Sequence, residues 1–177
     1  MNHDHYSERY ITNILASARS IAMIGASANT NRPSYFALKY LLGKGFDVHP
    51  INPGLAGKKL LGQTVYASLE DLPGPVDIVD IFRNAEAAGK IVKEVIALND
   101  KLQAKVIWMQ LSVRTDAAAA EAEAAGMKVV MNRCPKIEYG RLSGELNWAG
   151  VYSGSISSLR PKLSPNGFQN HVLAVQG

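Results

Sequence analysis

The loop that follows the first apolar run carries the residues best suited to hold a phosphate. It reads GASANTNRPS and spans residues 25–34. Gly25 allows a tight turn and a close approach of a ligand to the backbone, and Arg32 offers a forked cation that matches phosphate geometry. Ser27 adds a hydroxyl, and a helix beginning at Pro33 presents N–H groups that attract an anion. The loop predicts a phosphate or pyrophosphate site. The alternative is an ordinary strand-to-helix turn with a surface arginine.

The same loop matches an ordinary dinucleotide site poorly. The fingerprint of such a site has three glycines, but only Gly25 can be placed, and Ser27 stands where the second glycine belongs. An NAD site also needs an acidic residue after the second strand for the ribose hydroxyls, and here that strand ends at Asn52. NAD is therefore disfavoured. NADP is disfavoured less, because Lys58 can neutralise its 2′-phosphate.

The elements that must position this loop alternate along the chain. Apolar runs typical of buried parallel strands are separated by segments of helical period. The predicted strands cover residues 20–24, 46–52, 76–82, 105–111 and 127–132, and the predicted helices cover residues 7–19, 33–43, 84–100 and 115–126. This alternation predicts an α/β fold, a Rossmann-like doubly wound parallel sheet of about five strands in a single domain. Such sheets bind ligands at the carboxyl ends of their strands.

Composition restricts the class of protein further. The chain has 177 residues, which suits one domain, and a net charge of +4 without a run of lysines or arginines. Nucleic acid is therefore not an expected partner. The polar start and the lack of an apolar run of about 20 residues predict a cytoplasmic protein without a membrane span. The single cysteine excludes an intrachain disulfide and cysteine-rich zinc sites.

Five motifs run in order through residues 20–138. They are IGASANTNRPSY, INP, LGQTVYASLEDLPGPVDIVDIFR, WMQLSVR and AEAAGMKVVMNRCPKIE. On these motifs the chain resembles the small CoA-binding-domain family, which is related to the nucleotide-binding domain of the succinyl-CoA synthetase alpha subunit. The resemblance implies a Rossmann-like parallel sheet and coenzyme A as the ligand.

Together with the helical spacing of the first residues and the loss of periodicity at the end, the resemblance divides the chain into three segments. We expect an N-terminal helix over residues 1–19 and the CoA-binding Rossmann-like domain over residues 20–138. Residues 139–177 are rich in Gly, Ser and Asn and lack periodicity. We expect them to form an irregular C-terminal extension that packs on the domain or on a partner subunit.

Coenzyme A carries a pyrophosphate and a 3′-phosphate, so it needs two cationic anchors. Ser27, Arg32 and the first N–H groups of the following helix suit the pyrophosphate. Asn52 and Pro53 come where the adenosine end is expected, and Lys58 or its neighbour Lys59 can neutralise the 3′-phosphate. The alternative role of both lysines is ordinary surface solubility.

The remaining candidates follow the third and fourth strands. Phe82 can pack on adenine, and Arg83 can reach phosphate; the alternatives are a core phenylalanine and a surface arginine. Gln110 can hydrogen-bond the pantetheine arm, unless it is a buried glutamine satisfied by backbone. The predicted CoA-binding residues are Gly25, Ala26, Ser27, Arg32, Pro33, Ser34, Asn52, Pro53, Lys58, Phe82, Arg83 and Gln110.

One position departs from the family pattern. The family usually has a glycine after the leucine of QL, and this chain has Ser112 there. If that glycine permits close ligand approach, Ser112 narrows the site or changes the turn. The departure bears on the pantetheine end of the site more than on the phosphate end.

The sequence contains no evident set of nucleophile, base and orienting group, so no catalytic residues and no metal ligands are predicted. Succinyl-CoA synthetase relies on a phosphorylated histidine in a second domain, which we do not expect here. Neither His3, His5, His49 nor His171 follows a predicted strand. Asp80 is a remote candidate acid or base. Cys134 is a candidate for disulfide exchange with CoA, or simply a small residue at a strand end.

The leading hypothesis is a protein that binds CoA or acyl-CoA without catalysis and acts as a sensor, carrier or accessory protein. A second hypothesis is an NAD(P)-binding oxidoreductase-like domain or a subunit of an acyl-CoA ligase. A third is an oligomeric interaction module with a vestigial crevice, to which the tail with Trp148 and Tyr152 would contribute. A homo-oligomer is compatible with all three.

Overall fold

A computed structural model describes residues 1–144 of the chain. From position 145 onward the predicted extension (139–177) lies outside the described residues, and so do Trp148, Tyr152 and His171.

Helices and strands alternate through the described part. In chain order they are α1 (Glu8–Ser17), β1 (Ser20–Ile24), α2 (Pro33–Gly43), β2 (Asp47–Ile51), β3 (Lys59–Leu60), β4 (Gln63–Thr64), β5 (Ile78–Ile81), α3 (Ala85–Ala97), α4 (Asn99–Leu102), β6 (Val106–Met109), α5 (Asp116–Ala124), β7 (Lys128–Val130) and α6 (Pro135–Leu142). A 3-10 turn at Pro53–Leu55 follows β2.

Five of the strands form one parallel sheet in the order β2-β1-β5-β6-β7. The predicted α/β doubly wound sheet is thereby confirmed. After β1 the chain moves outward to β2, and it then returns across β1 to place β5 on the other side. The order of the strands reverses between β1 and β5, so the crevice expected in this fold lies at the carboxyl ends of these two strands.

Both faces of the sheet are covered by helices. Successive residues of a strand point to opposite faces, so Ile78 and Trp108 belong to one core while Val79 and Ile107 belong to the other. Helices α1, α2 and α6 pack on the first face, and α3, α4 and α5 pack on the second. Burial on both faces explains why the strands read as continuous apolar runs.

Segments outside the main strands cover both edges of the sheet. At the β7 edge the Tyr6 hydroxyl accepts a hydrogen bond from the Met131 N–H (2.8 Å), and the Tyr10 hydroxyl donates to the Val129 carbonyl (3.2 Å). At the β2 edge Tyr66 lies parallel to the strand, and its N–H donates to the Pro50 carbonyl (2.9 Å). Unpaired backbone groups on an edge strand invite pairing with other chains, and these contacts satisfy several of them.

Four of the strands and helices were not predicted from the sequence. Strands β3 and β4 have two residues each, too short for periodicity, and join through Leu61 and Gly62, both of positive φ (50° and 86°), as a two-residue hairpin turn requires. The helix predicted over residues 84–100 ends earlier, and α4 is a separate turn that stops at Gln103 with a φ of 46°. Helix α6 begins at Pro135, which suits a first helical position.

Candidate functional site

The loop after β1 is held tightly against its neighbours. Gly25 has a φ of 86°, and its N–H donates to the Ile51 carbonyl at the end of β2 (3.0 Å). A Cβ added at Gly25 would lie 2.5 Å from the Phe82 carbonyl oxygen and 3.2 Å from Cδ of Arg83. The loops after β1 and β5 therefore face each other directly, at the place where strand order reverses, and only glycine fits between them.

The N-terminus of α2 points its free groups at this loop. Arg32 is the N-cap residue, no side chain caps the helix, and the first turn has no acidic residue. Pro33 has no N–H, and the Tyr35 N–H already donates to the Arg32 carbonyl (3.0 Å). In the first turn this leaves the N–H of the buried Ser34 as a donor for an anion. An uncapped helix start with an exposed arginine beside it favours an anion.

Local hydrogen bonds hold the loop between Gly25 and α2 in its conformation. The Ser27 hydroxyl accepts a hydrogen bond from the Asn29 N–H (3.1 Å), and Asn29 Oδ1 accepts one from the Asn31 N–H (2.9 Å). This leaves the Ser27 hydroxyl proton available to donate. Ala26 is fully buried, so within the site it contributes backbone rather than side chain.

Asn52 connects two of the loops through its side chain. Its Nδ2 donates to the Ala26 carbonyl (2.7 Å), and its Oδ1 accepts from the Gly54 N–H (2.9 Å) as the cap of the Pro53–Leu55 turn. Both ends of the amide thus have partners within the protein. Asn52 positions the loop that carries Ala26, a structural role that sequence analysis did not assign to it.

The two lysines after this turn differ in their surroundings. Lys59 Nζ donates to Thr64 Oγ1 across the β3–β4 hairpin (2.7 Å). Lys58 is exposed, and its side chain makes no hydrogen bond or ion pair with any residue in the described part of the chain. Of the two predicted alternatives, Lys58 has all three donors free of the described residues, whereas Lys59 has one of its three engaged.

At the end of β5, Phe82 and Arg83 are arranged as an inner and an outer residue. The Phe82 N–H donates to the Ile24 carbonyl (2.8 Å), and its half-buried ring packs against the core on the α2 side of the sheet. Arg83 is exposed, and the stem of its side chain passes close to Gly25. The structure therefore brings Arg83 to the loop that carries Ser27 and Arg32.

A buried polar pair lies at the ends of β5 and β6. Gln110 Nε2 donates to Asp80 Oδ1 (2.8 Å), and Asp80 Oδ2 has no partner among the described residues. Burial raises the pKa of the Asp80 carboxyl to about 7, and the Gln110 hydrogen bond opposes that rise. The sequence identified both residues but did not predict that they touch. The available signal was an acidic residue inside a strand that is apolar on both faces.

Ser112 keeps the turn that a glycine would make. Its φ is 65°, in the left-handed region that favours glycine, and its N–H donates to Asn132 Oδ1 (2.8 Å). Asn132 itself has a φ of 53°. The turn after β6 is thus stabilised by an asparagine from the end of β7.

Cys134, His3 and His49 lie among other side chains. Burial raises the pKa of the Cys134 thiol to about 11, so little thiolate exists near neutral pH. His3 Nδ1 lies 2.9 Å from the Tyr6 hydroxyl, and His49, in the middle of β2, lies beside Asp47 at the start of that strand. Within residues 1–144 no three His, Cys, Asp or Glu side chains form a group suited to a metal ion. None of the helices in that part of the chain is long and apolar enough to cross a membrane.

Comparison with known proteins identifies the family. The sequence model of the CoA binding domain matches residues 19–140, which include every strand-end loop described above. This chain belongs to the CoA-binding domain family. The resemblance carried by the five ordered motifs is thereby confirmed.

Two similar proteins match this chain over most of its length. The Bacillus subtilis protein YneT is 29% identical over 133 residues, covering 75% of this chain and 94% of its own. The structure of cell-free ID.343 from Thermus thermophilus is 34% identical, covers 77% of this chain and 98% of its own, and superposes with a TM-score of 0.71.

A more distant neighbour shares the fold alone. It is the dinucleotide-forming acetyl-coenzyme A synthetase 1 of Candidatus Korarchaeum cryptofilum, in complex with phosphate and ADP. Identity is 21%, and the match covers 70% of this chain but only 28% of that one, with a TM-score of 0.56.

Proposed function

We propose that this protein binds coenzyme A or an acyl-CoA in the crevice between the loops after β1 and β5, and that it acts without catalysis as a sensor, carrier or accessory protein. One observation carries the proposal: the contact of Gly25 with Phe82 and Arg83 next to the uncapped start of α2. A crevice with an open helix start and two arginines, in a chain of the CoA-binding domain family, suits a nucleotide pyrophosphate.

The pyrophosphate would take the donors that have no partner among residues 1–144. These are the Ser34 amide, the Ser27 hydroxyl proton and the guanidinium of Arg32, with Arg83 opposite. Pro33 begins α2 without a donor of its own and fixes the helix start. Phosphate accepts hydrogen bonds from all of these groups, and charge assistance strengthens the contacts with arginine.

The 3′-phosphate would be bound by Lys58. The loop after β2 contains Asn52, Pro53 and Gly54 and no carboxylate, so nothing there repels a second phosphate. Lys58 has free donors, whereas the ammonium of Lys59 is engaged by Thr64. Phe82 would offer its ring to adenine, and Gln110 would contact the pantetheine arm.

The state of the candidate nucleophile supports a role without catalysis. A thiol with a pKa of about 11 is a weak nucleophile near neutral pH, which makes disulfide exchange between Cys134 and CoA slow. Asp80 is fully covered and has Gln110 as its hydrogen-bond partner. Among the described residues, neither Cys134 nor Asp80 forms a side-chain hydrogen bond with a second titratable residue, which a nucleophile and base pair for acyl transfer requires.

Calorimetric titration with CoA, dephospho-CoA, NAD and NADP tests the ligand. We expect CoA to bind most tightly, and Arg32→Ala to weaken CoA binding by about tenfold to a hundredfold, since one charge-assisted hydrogen bond is lost. Lys39→Ala is the matched control, because Lys39 is exposed farther along the same helix. Preferential binding of NADP would support the oxidoreductase hypothesis instead, and an equal loss in both variants would mean that only net charge matters.

A second pair of variants tests the 3′-phosphate contact. Lys58→Ala should weaken CoA binding and leave dephospho-CoA binding unchanged, whereas Lys59→Ala should affect neither ligand. If Lys58→Ala weakens the binding of CoA and of dephospho-CoA equally, Lys58 does not contact the 3′-phosphate. Incubation with acyl-CoAs, or with NAD(P)H and carbonyl substrates, should give no turnover, and sustained turnover would contradict the non-catalytic role. The cytoplasmic location and the homo-oligomer stay predictions.

A further inference from the structure

The carboxyl group of Asp80 is the least explained polar group in the described part of the protein. Its exposure is 0%, and among buried side-chain nitrogen and oxygen atoms there, Oδ2 alone lacks a hydrogen-bond partner. An ionised carboxylate in this position would be a buried charge with one oxygen unsatisfied, which is costly in a protein interior. Asp80 therefore needs either a proton or a partner.

Among the described residues no cation is paired with Asp80. In the sheet, Asp80 lies opposite Met23 on β1 and Trp108 on β6, neither of which carries a charge. The titratable groups on the elements around it include Arg83 after β5, Arg32, Tyr35 and Tyr40 on α2, and Cys134, Lys136, Glu138 and Tyr139 on α6. None of them forms an ion pair with Asp80, although its charge raises the pKa of the Cys134 thiol.

The hydrogen bond from Gln110 determines which oxygen carries the proton. Oδ1 accepts from Gln110 Nε2, so the proton of the neutral acid belongs on Oδ2. Burial raises the pKa of Asp80 to about 7, which keeps a large fraction protonated near neutral pH. The result is a hydroxyl donor fixed at the carboxyl end of β5 with no acceptor in the described chain.

We infer that Asp80 Oδ2–H is a hydrogen-bond donor for an uncharged carbonyl oxygen on the pantetheine side of the ligand, an inference that rests on the proposed function. A phosphate suits this place less well, because it needs a cation in contact and the strand neighbours Met23 and Trp108 carry no charge. A carbonyl oxygen needs one donor and no charge. Two parts of an acyl-CoA have this chemistry: the amides of the pantetheine arm and the thioester of the acyl group.

Entry of the carbonyl requires a small opening, because Asp80 is covered. Gln110 is the polar residue in contact with Asp80, directly follows β6 and is 7% exposed. Rotation of its side chain toward the crevice is the smallest movement that opens a path to Oδ2. An internal water on Oδ2 is the competing explanation, and it predicts no dependence on the ligand's arm.

The test compares CoA, acetyl-CoA and 3′-phospho-ADP, which lacks the pantetheine arm, on wild type, Asp80→Asn and Asp80→Ala. Asparagine keeps both features of the neutral acid, since its oxygen accepts from Gln110 and its Nδ2 donates in place of the hydroxyl. We expect Asp80→Ala to weaken binding of CoA or acetyl-CoA by about tenfold at pH about 6, with Asp80→Asn close to wild type. Binding of 3′-phospho-ADP should be the same in all three proteins.

The pH dependence separates a donor from a merely structural residue. Between pH about 6 and about 8 the affinity ratio of CoA to 3′-phospho-ADP should fall about tenfold more in wild type than in Asp80→Asn, as the Asp80 proton is lost. The Asp80→Asn ratio is the reference, because the terminal phosphate of 3′-phospho-ADP also titrates in this range, whereas in CoA it is esterified. The 3′-phosphate is common to both ligands and cancels in the ratio.

The pattern of binding losses across the three ligands shows which group of the ligand contacts Asp80. A loss restricted to acetyl-CoA identifies the thioester carbonyl, and an equal loss for CoA and acetyl-CoA identifies a pantetheine amide. If the variants change all three ligands alike, or none, Asp80 is structural and the inference is wrong while CoA binding stands. If wild type binds none of the three, the proposed function fails first, and the inference fails with it.

Discussion

Gly25 and Phe82 lie so close that a single methyl group on Gly25 would come within 2.5 Å of the Phe82 carbonyl oxygen. The contact joins the ends of β1 and β5, the two strands between which the order of the sheet reverses. It brings the stem of the Arg83 side chain next to the loop after β1. The position of the candidate site therefore depends on the absence of one side chain.

Replacing Gly25 with alanine should disturb both the fold and the site. The new Cβ meets backbone, which cannot rotate away, and the φ of 86° adds strain of about 1–2 kcal/mol for an L-residue. Gly62→Ala is the matched control, because Gly62 also has a φ of 86° but open space around it. Denaturant unfolding should show the larger loss of stability in Gly25→Ala. Equal losses would mean that the contact with Phe82 is unimportant.

Asn52→Asp should destabilise the loops more than Asn52→Ala does. The aspartate keeps the acceptor for the Gly54 N–H but places a carboxylate oxygen against the Ala26 carbonyl, where Nδ2 now donates. We expect a loss of about 1–3 kcal/mol in the free energy of unfolding at neutral pH, recovered partly in acid as the carboxylate is protonated. An aspartate variant as stable as wild type would show that this bond does not hold the loop.

Ser112→Gly should stabilise the protein. Ser112 has a φ of 65°, and removal of its Cβ relieves left-handed strain of about 1–2 kcal/mol, partly offset by the greater freedom of glycine in the unfolded chain. Gln103→Gly offers a comparison, because Gln103 has a φ of 46° and precedes β6, whereas the crevice lies after the strands. Thermal unfolding measures both changes, and a destabilised Ser112→Gly would mean that the serine hydroxyl makes a contact of its own.

Asp77 should stabilise the fold in a pH-dependent way. Burial tends to raise the pKa of its carboxyl, but hydrogen bonds from Lys105 and from the N–H groups of Arg19 and Ser20 lower it overall. Because the folded-state pKa is the lower one, the stabilisation is present above the unfolded value and is lost as pH falls through the folded value.

Denaturant unfolding of wild type and Asp77→Asn across pH about 2 to 7 tests this. The difference between the two proteins, about 1–2 kcal/mol at neutral pH, should shrink toward zero in acid. Asp100→Asn serves as the control, since Asp100 is exposed in α4. A constant difference at every pH would mean that the charge of Asp77 contributes nothing.

Tyr6→Phe should cost more stability than Tyr10→Phe. Loss of the Tyr6 hydroxyl leaves the buried N–H of Met131 without an acceptor, at a cost of about 1–3 kcal/mol. Tyr10 only donates, over 3.2 Å, to a carbonyl that has a second lone pair. Amide hydrogen exchange should locate the change at Met131, and unaltered protection there would contradict the assignment.

Elements bounded by strong local signals were predicted to the residue. Strand β1 ends where Gly25 follows it, and α2 begins at Pro33 and ends at Gly43, as the sequence indicates. The hairpin of β3 and β4 and helix α6 have weak or very short patterns, so their formation depends on packing that no local window contains. The fold class needed only the alternation of elements and was therefore predictable.

The candidate site was predictable in its positions but not in its contacts. That loops after parallel strands converge follows from topology alone. The contacts depend on distances that the sequence does not give. Examples are the hydrogen bonds of Asn52 with Ala26, of Lys59 with Thr64 and of Gln110 with Asp80. These contacts separate residues that hold the site in shape from residues whose donors are still free for a ligand.

The bond between Tyr6 and Met131 also has a consequence for synthesis of the chain. Its partners are 125 residues apart, and β7 is the last strand of the sheet to be made. Because the chain is synthesised from its amino end, Tyr6 is made long before Met131, and nearly the whole sheet is made between them. The residues that form the crevice are therefore synthesised before Met131, the residue with which Tyr6 closes the last edge of the sheet.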